Sequence, residues 1–202
     1  MGIFGNTMSG KTVWVKKLIE QSSELFEGGV NQILLCYGMY QPLFEDIIAN
    51  TQNLHLHAGL PTNEMLTDLH SNGGHNLVIL DDLQQEMGRE PSIEKMFTQM
   101  AHHMCMSIIF LGNNLFHKPF SRTITINLHV LVLFRNARDA QQINYLGRQL
   151  YPLKSREFYN AYLDSTSKPY GYLIVDLCPK ACEEIRLRTN IFKGEDPIIY
   201  KL

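Results

Sequence analysis

Eight residues near the beginning of the sequence have the types and the spacing that bind nucleotide phosphates. They read G-x-x-x-x-G-K-T and are Gly5, Asn6, Thr7, Met8, Ser9, Gly10, Lys11 and Thr12. Two glycines allow the backbone to curl so that its N–H groups point at the phosphates, and the Lys11 ammonium adds a cation that reaches them. The Thr12 hydroxyl is placed to ligate Mg²⁺. These eight residues, named here the P-loop, therefore predict a site for ATP and Mg²⁺.

Two aspartates supply a second set of chemical groups. Asp81 and Asp82 follow the apolar run of residues 77–80, the Walker B pattern of a buried strand whose carboxylates lie at its carboxyl end. There Asp81 is suited to hold Mg²⁺ through water, and Asp82 is suited to polarise the attacking water as a general base. A strand that merely ends in an acidic turn is the alternative, and the P-loop upstream argues against it.

A third polar group follows the apolar run of residues 107–111. Asn113 and Asn114 lie there, at the end of the strand that the additional-strand class of P-loop ATPases places between its two Walker strands. An amide in this position can contact both the γ-phosphate and the attacking water. Asn113 is the first choice for this sensor and Asn114 the second. Two asparagines in an ordinary turn are the alternative.

These groups require strands to position them. Five short, nearly continuous apolar runs predict strands buried on both faces: residues 33–37, 77–81, 107–111, 130–134 and 172–176. Because helical patterns lie between the runs, the sequence predicts an α/β sandwich with a mostly parallel central sheet, in the additional-strand class of P-loop NTPases. We expect a single domain over residues 1–202, since no linker, repeat or low-complexity stretch divides the chain.

The remaining elements are predicted from their end signals. Helices are expected over residues 15–26, 42–49 and 62–69, after a cap at Ser92, after a capping box of Asp139 and Gln142, and from Ser155. Residues 184–192 alternate between charged and apolar types and are expected to form an edge strand. Because only residues 1–4 precede the P-loop, we predict that its leading strand is a stub, short or truncated, and that the centre of the sheet is under-built.

The composition limits the partners and the location of the protein. Its 202 residues carry a formal net charge of −2, so no global basic field indicates a nucleic-acid partner, and DNA would have to be bound by local loops. No apolar run approaches the roughly 20 residues of a membrane span, and no signal peptide is visible. We therefore expect an intracellular protein without a membrane partner.

The cysteines and histidines allow two interpretations. The favoured one is that all four cysteines are reduced thiols of a reducing compartment: Cys36, Cys105, Cys178 and Cys182. A structural metal held by His102, His103 and Cys105, or by the C-x-x-x-C of residues 178–182, is the weaker alternative, because zinc sites usually show two closely spaced ligand pairs.

The order of several sequence blocks resembles a known family. The blocks are the P-loop, residues 77–82, the pair His102-His103, and residues 108–116, 122–127, 133–139 and 161–176. Together they resemble the FtsK/HerA-type viral DNA-packaging ATPases, in particular the group carried by Polinton (Maverick) elements and adintovirus-like viruses, akin to the poxvirus packaging ATPase. The Walker motifs are generic, and the later blocks are the specific part. Asn113 departs from the glutamine that is often the sensor in such ATPases.

The resemblance implies a function and a set of partners. It implies a homo-oligomeric ring that hydrolyses ATP and pumps double-stranded DNA into a capsid, without sequence specificity, inside the host cell. Capsid proteins are possible further partners.

Ring ATPases also require a cation at the γ-phosphate, often donated by the neighbouring subunit. An arginine suits this role because it stays charged and can grip phosphate with two donors. Arg122, Arg135 and Arg138 are the candidates, and Arg138 and Arg122 are preferred. Each could instead be a solvated or salt-bridged surface arginine.

Two segments are candidates for contact with DNA. Residues 116–122 mix basic and aromatic side chains on a predicted loop, and residues 84–91 are a predicted polar loop next to Asp82. Either could line a central pore and touch phosphates without reading bases. Ordinary solvated loops are the alternative.

Two other functions stay open. A P-loop kinase acting on a small molecule would need an acceptor pocket and an arginine-rich mobile lid, and the sequence shows no clear lid of that kind. A truncated ATPase could also serve as a nucleotide-binding or capsid-interaction module without motor activity, and the short leading strand is the reason to consider it.

Overall fold

The computed structural model describes residues 1–88, 90–115, 122–138 and 140–202, with the side chains of Pro91, Ser92, His102, Arg122 and Thr123 left out. The strands in these ranges are β1 (Gly2–Phe4), β2 (Gln32–Tyr37), β3 (Leu54–Ala58), β4 (Asn76–Asp81), β5 (Met106–Gly112), β6 (Val130–Phe134), β7 (Tyr172–Asp176), β8 (Leu187–Thr189) and β9 (Ile198–Tyr200).

Helices connect most of these strands. The α-helices are α1 (Lys11–Glu20), α2 (Ser22–Leu25), α3 (Leu43–Asn50), α4 (Asn63–Ser71), α5 (Gln84–Met87), α6 (Pro91–Lys95), α7 (Ala101–His103), α8 (Arg122–Ile126), α9 (Ala140–Leu150) and α10 (Ser155–Ser165). A π-helical segment, Met96–Met100, joins α6 to α7, and a 3₁₀ turn covers Glu183–Ile185.

The strands form a mixed sheet in the order β3-β2-β4-β5-β1-β6-β7-β8-β9. In that order β5 stands between β4 and β1, as the additional-strand class requires. The pairs β2–β3, β2–β4, β4–β5 and β1–β6 are parallel, whereas β6–β7, β7–β8 and β8–β9 are antiparallel. The strands that precede the predicted phosphate and metal residues therefore belong to the parallel part.

The chain divides into two compact units, and the first comprises Met1, Thr12–Gly112 and residues 122–127. It contains β2 to β5, and β4 is a continuous apolar run as expected of a parallel strand covered on both faces. The four side chains from Leu77 to Leu80 are 0% exposed. Burial of such a side chain contributes about 1.5–3 kcal/mol, so the carboxyl end of β4 is held firmly in place.

The second unit comprises Gly2–Lys11, residues 113–115 and the described residues of Leu128–Leu202. Its strand β6 pairs with β1 on one side and with β7 on the other. Helix α10 is tied to the end of β6 by Tyr162, whose hydroxyl donates to the Phe134 carbonyl oxygen (3.1 Å) and accepts from the Asn136 backbone N–H (2.9 Å). These bonds fix the carboxyl end of β6.

The leading strand is short, as predicted, but it is not under-built. β1 has three residues in register with Leu131, Val132 and Leu133, and Ile3 is 0% exposed. On the side of β5, the Met1 amine donates to the Ile108 carbonyl oxygen (2.7 Å), and the Met1 carbonyl accepts from the Phe110 N–H (3.1 Å). The expectation of a weak sheet centre is therefore wrong, because the strand is hydrogen-bonded on both sides.

The five predicted strands are confirmed to within one residue at each end. The cap of α4 has the expected kind of bond, since the Thr62 hydroxyl accepts from the Met65 N–H (3.3 Å). The predicted helix over residues 15–26 is divided into α1 and α2. The capping box at Asp139 lies outside the described residues.

Two predictions about chain ends and caps are wrong. Residues 184–192 contain β8, which is not an edge strand, because β9 pairs along its second side. The helix that was expected to follow a cap at Ser92 already contains that residue, since α6 begins at Pro91. Strand β3 was not predicted, because His55 and His57 interrupt its apolar pattern.

Candidate nucleotide site

The P-loop forms a tight turn between β1 and α1. The Ser9 N–H donates to the Asn6 carbonyl oxygen (3.1 Å), and Met8 and Gly10 have positive φ angles of 65° and 102°. A Cβ atom on Gly5 would lie 2.6 Å from both the Phe134 Cβ and the Ser9 Oγ, so Gly5 accepts no side chain without a shift of its neighbours. The predicted strand–loop–helix context of the motif is therefore present.

Lys11 lies across this turn. Its Nζ atom donates to the carbonyl oxygens of Gly5 (2.7 Å) and Asn6 (2.9 Å), and to the Oδ1 atom of Asn113 (3.1 Å). The contact joins residues 102 positions apart in the sequence. The structure thus brings together the predicted phosphate lysine and the first choice of sensor.

The P-loop also holds an unpaired hydroxyl. Among the described residues, the buried Ser9 Oγ has no hydrogen-bond partner, and it lies on the inner side of the turn next to Gly5. A buried polar atom without a partner is uncommon. It gives the P-loop a further group that can bond to a bound anion.

The Mg²⁺ ligands predicted from the sequence lie in the first unit and are also in contact. Asp81, at the end of β4, is 5% exposed. The Thr12 hydroxyl donates to its Oδ2 atom over 3.3 Å, and the Gln41 side-chain amide donates to the same oxygen over 3.2 Å. A hydroxyl and a carboxylate oxygen side by side are the hard oxygen ligands that Mg²⁺ takes, so these residues fit the metal.

Asp82 stands in a different environment. Asp82 is exposed. Its φ of 56° lies in the left-handed region, which aspartate tolerates better than most residues. The backbone of Gly38 packs against this turn. Its N–H donates to the Asp81 carbonyl oxygen (2.9 Å), and a Cβ atom on Gly38 would collide with the Asp82 carbonyl oxygen. The position of Asp82 thus depends on a glycine after β2.

Gln41 and Gly38 were not among the residues proposed from the sequence. Both follow β2, which pairs with β4 in register and places Tyr37 opposite Asp81. The available signal was their position just after a predicted strand, at the edge of the sheet where α/β proteins bind ligands. Residue types alone did not distinguish them from other polar loop residues.

The three arginine candidates follow β6 or begin α8. Arg138 is exposed, and its backbone N–H donates to the Asn136 Oδ1 (3.2 Å). Arg135 is exposed and its Nη1 atom donates to the Thr166 carbonyl oxygen over 3.4 Å. Arg122 is the first residue of α8, and its side chain lies outside the described part.

The two DNA-contact predictions have different outcomes. Residues 116–121 lie outside the described residues, so that prediction is not tested. The segment of residues 84–91 is not a simple loop, because Gln84–Met87 forms α5 and α6 begins at Pro91. The polar residues next to Asp82 are therefore partly helical.

The cysteines are thiols, and the described histidines, cysteines and acidic residues form no metal cluster. All four cysteines are free, and burial raises the pKa of the Cys36 thiol to about 12. Within the described ranges, no group of three His, Cys, Asp or Glu side chains could hold a metal ion. Among the helices that the structure describes, none is long and apolar enough to cross a membrane.

Comparison with known proteins adds a likeness of fold. No protein-family model matches the sequence, and no curated protein matches it either. Among solved structures, the chain is similar to B204, the DNA-packaging ATPase from Sulfolobus Turreted Icosahedral Virus, with a TM-score of 0.59 and 11% sequence identity, over 99% of this chain and 95% of that chain. At this identity the likeness shows the fold alone. The α/β, P-loop ATPase-like fold predicted from the sequence is confirmed.

Proposed function

We propose that this chain is a Mg²⁺-dependent ATPase that drives double-stranded DNA into a viral capsid as part of a homo-oligomeric ring. The main support for ATPase activity is a pair of contacts made by two consecutive residues. Lys11 contacts Asn113, and Thr12 contacts Asp81. Lys11 and Thr12 are consecutive, as the G-x-x-x-x-G-K-T motif requires of its phosphate lysine and its metal ligand. The packaging role is supported by the order of the sequence blocks and by the fold shared with B204.

The P-loop would hold the phosphates. On binding, the Lys11 ammonium would exchange the neutral carbonyl oxygens of Gly5 and Asn6 for charged phosphate oxygens, and charge-assisted hydrogen bonds are roughly twice as strong as neutral ones. The backbone N–H groups from Asn6 to Thr12 and the N-terminus of α1 favour the same anion. The buried Ser9 hydroxyl would find its missing partner there.

Thr12 and Asp81 would hold the metal, Asp81 through water, with Gln41 keeping the carboxylate in position. When bound, Mg²⁺ neutralises charge that develops on the β- and γ-phosphate oxygens. Burial of Asp81 and its hydrogen bonds from Thr12 and Gln41 preorganise this group, so little rearrangement is needed during the reaction.

Asp82 would orient the attacking water and accept its proton, because its exposed carboxylate adjoins the metal-binding residue. Asn113, which is already in contact with Lys11, would contact the γ-phosphate as the sensor residue. The cation that completes the site would come from the neighbouring subunit through Arg138, with Arg122 as the second candidate.

The ring would contact DNA through local loops around its pore, since the net charge of −2 supplies no basic field. Residues 116–122 and residues 84–91 are the two candidates for these contacts. They would touch phosphates rather than bases, which makes binding independent of sequence and sensitive to salt. The protein would act inside the host cell and would meet capsid proteins there.

Steady-state ATP hydrolysis with and without double-stranded DNA tests this proposal. We expect Mg²⁺-dependent hydrolysis that rises when duplex DNA is added to assembled protein, and loss of that activity in Lys11→Ala. DNA-independent turnover that requires one small-molecule acceptor would instead indicate a kinase. If Lys11→Ala changes neither nucleotide binding nor assembly, the chain is a module without motor activity.

A further inference from the structure

An open cavity of about 530 Å³ lies beside the P-loop in the second unit. It is bounded by Met8 and Ser9 of the P-loop, by Arg135 after β6, and by residues 166–171 between α10 and β7. We propose that this cavity holds the nucleoside part of the triphosphate, with the base stacked on the ring of Tyr170. The inference rests on the proposed function, and it adds the site that distinguishes a nucleotide from a bare polyphosphate.

The position of the cavity matches the shape of the ligand. A triphosphate bound at Lys11 must leave the P-loop at one side, and ribose and base need room directly next to it. Met8 and Ser9 line the cavity and lie within the same eight-residue turn as Lys11. A ligand can therefore extend from the phosphate groups into the cavity without crossing another element of this unit.

Tyr170 has the geometry of a stacking platform. The residue is 70% exposed, so most of its surface is open to a ligand. The ring also lies against the P-loop, since a Cβ atom on Gly10 would be 2.8 Å from the Tyr170 Cδ1. Aromatic rings with a free face stack on nucleobases, and such stacking tolerates any base because every base has a π-face.

The segment that carries Tyr170 is held by its own hydrogen bonds. The Thr166 N–H and hydroxyl both donate to the Tyr162 carbonyl oxygen, over 3.1 and 2.6 Å. The Gly171 N–H donates to the Lys168 carbonyl oxygen over 3.0 Å, and a Cβ atom on Gly171 would collide with the Ser165 carbonyl oxygen. Tyr170 itself has a positive φ of 61°. The backbone thus places the ring before any ligand arrives.

The charges around the cavity suit a nucleotide. Of the described residues that line it, Arg135 and Lys168 are cationic and none is acidic. The Arg135 Nη1 atom donates to the Thr166 carbonyl oxygen over 3.4 Å, a long contact that a phosphate oxygen can replace. A cationic rim next to the P-loop attracts the phosphate nearest the ribose, whereas a neutral nucleoside that lacks phosphates gains no such charge–charge attraction.

Titration calorimetry with two ligands tests this site. ATP and inorganic tripolyphosphate, each with Mg²⁺, are titrated into the full chain, into Tyr170→Ala and into Tyr170→Phe. We expect Tyr170→Ala to weaken ATP binding about tenfold, at the low end of base stacking, and to leave tripolyphosphate binding unchanged. Tyr170→Phe keeps the ring and should bind ATP as the unmodified protein does. Tyr145→Ala, at a tyrosine that is 53% exposed on α9, is the matched control.

The outcomes separate this inference from the proposed function. If the unmodified protein binds neither ligand, both fail. If it binds both ligands, and Tyr170→Ala weakens them equally or not at all, the nucleoside site is refuted while the ATPase stands. Because Tyr170 is exposed and is already a non-glycine residue at a positive φ, alanine preserves the fold. Photolabelling with 8-azido-ATP gives a second readout, in which labelling of residues 166–171 supports the site and labelling elsewhere overturns it.

Discussion

The charged residues that follow β4 and β6 differ in burial and in hydrogen bonding. After the buried run of β4, Asp81 is 5% exposed, and its Oδ2 atom accepts hydrogen bonds from Thr12 and Gln41. After β6, Arg138 is exposed, and its described contact is made by the backbone N–H to Asn136. The first region is organised by the chain itself, whereas the second presents a cation outward.

The difference indicates which of the two charged groups is preorganised. A buried carboxylate with two donors keeps its geometry without help from another molecule. An exposed arginine loses up to about 2 kcal/mol of side-chain entropy when it is fixed, so it becomes useful in catalysis when a binding partner orders it. We therefore expect the end of β4 to act on the nucleotide of its own chain, and Arg138 to act on the nucleotide of a neighbour.

Arg138→Ala tests the exposed arginine after β6 and has the largest expected effect. In an assembled ring it should lower the ATPase rate on the order of 10³-fold, while ATP affinity stays unchanged. Mixing Arg138→Ala chains with Lys11→Ala chains should restore activity, because each supplies what the other lacks. Arg148→Ala, at an exposed arginine on α9, is the control. An inactive mixture that still assembles would rule out Arg138 as the neighbour's cation.

Asp81→Ala tests the buried carboxylate after β4. Loss of the buried carboxylate should lower the hydrolysis rate about 10²-fold, as removal of a preorganised charged group does, and should weaken the dependence of ATP binding on Mg²⁺. Mixing with Lys11→Ala chains should give no rescue, since both defects lie in the chain that binds the nucleotide. Asp68→Ala, at an exposed aspartate on α4, is the matched control. Rescue of Asp81→Ala by mixing would contradict the comparison.

Gln41→Ala tests the support of the Asp81 carboxylate and has a smaller expected effect. Gln41 holds the Asp81 carboxylate rather than the metal, and residues that support metal ligands typically affect metal affinity by about 10- to 100-fold. We expect a rise of about tenfold in the Mg²⁺ concentration needed for half-maximal activity, with little change in rate at saturating Mg²⁺. Gln52→Ala, at an exposed glutamine in the same unit, serves as the control. A lower rate at saturating Mg²⁺ with unchanged Mg²⁺ affinity would show that Gln41 does not act through the metal site.

The groups that the sequence predicts best are those encoded in one contiguous stretch. The P-loop carries its glycines, lysine and threonine within eight positions, and β4 carries its apolar run directly before Asp81. Local spacing alone then specifies which residues come together. Asn113 could also be predicted, because the strand before it is a long apolar run and the amide at its end is the first polar side chain.

The groups that the sequence did not indicate depend on neighbours in space. Gln41 and Gly38 matter because β2 pairs with β4, and no local pattern specifies which strand lies next to which. The cavity at Tyr170 arises from segments more than 100 positions apart, so no spacing rule reveals it. Strand β9 has two exposed isoleucines and three residues in all, too few to establish a period.

The measurement that tests the central claim most directly is the mass of the protein in solution with ATP, Mg²⁺ and a DNA duplex. The account predicts a homo-oligomer that carries one duplex when all three are present, and its loss in Lys11→Ala because the P-loop no longer holds the triphosphate. A chain that stays monomeric with and without these ligands, or that assembles equally well with Lys11→Ala, would contradict a nucleotide-driven DNA motor.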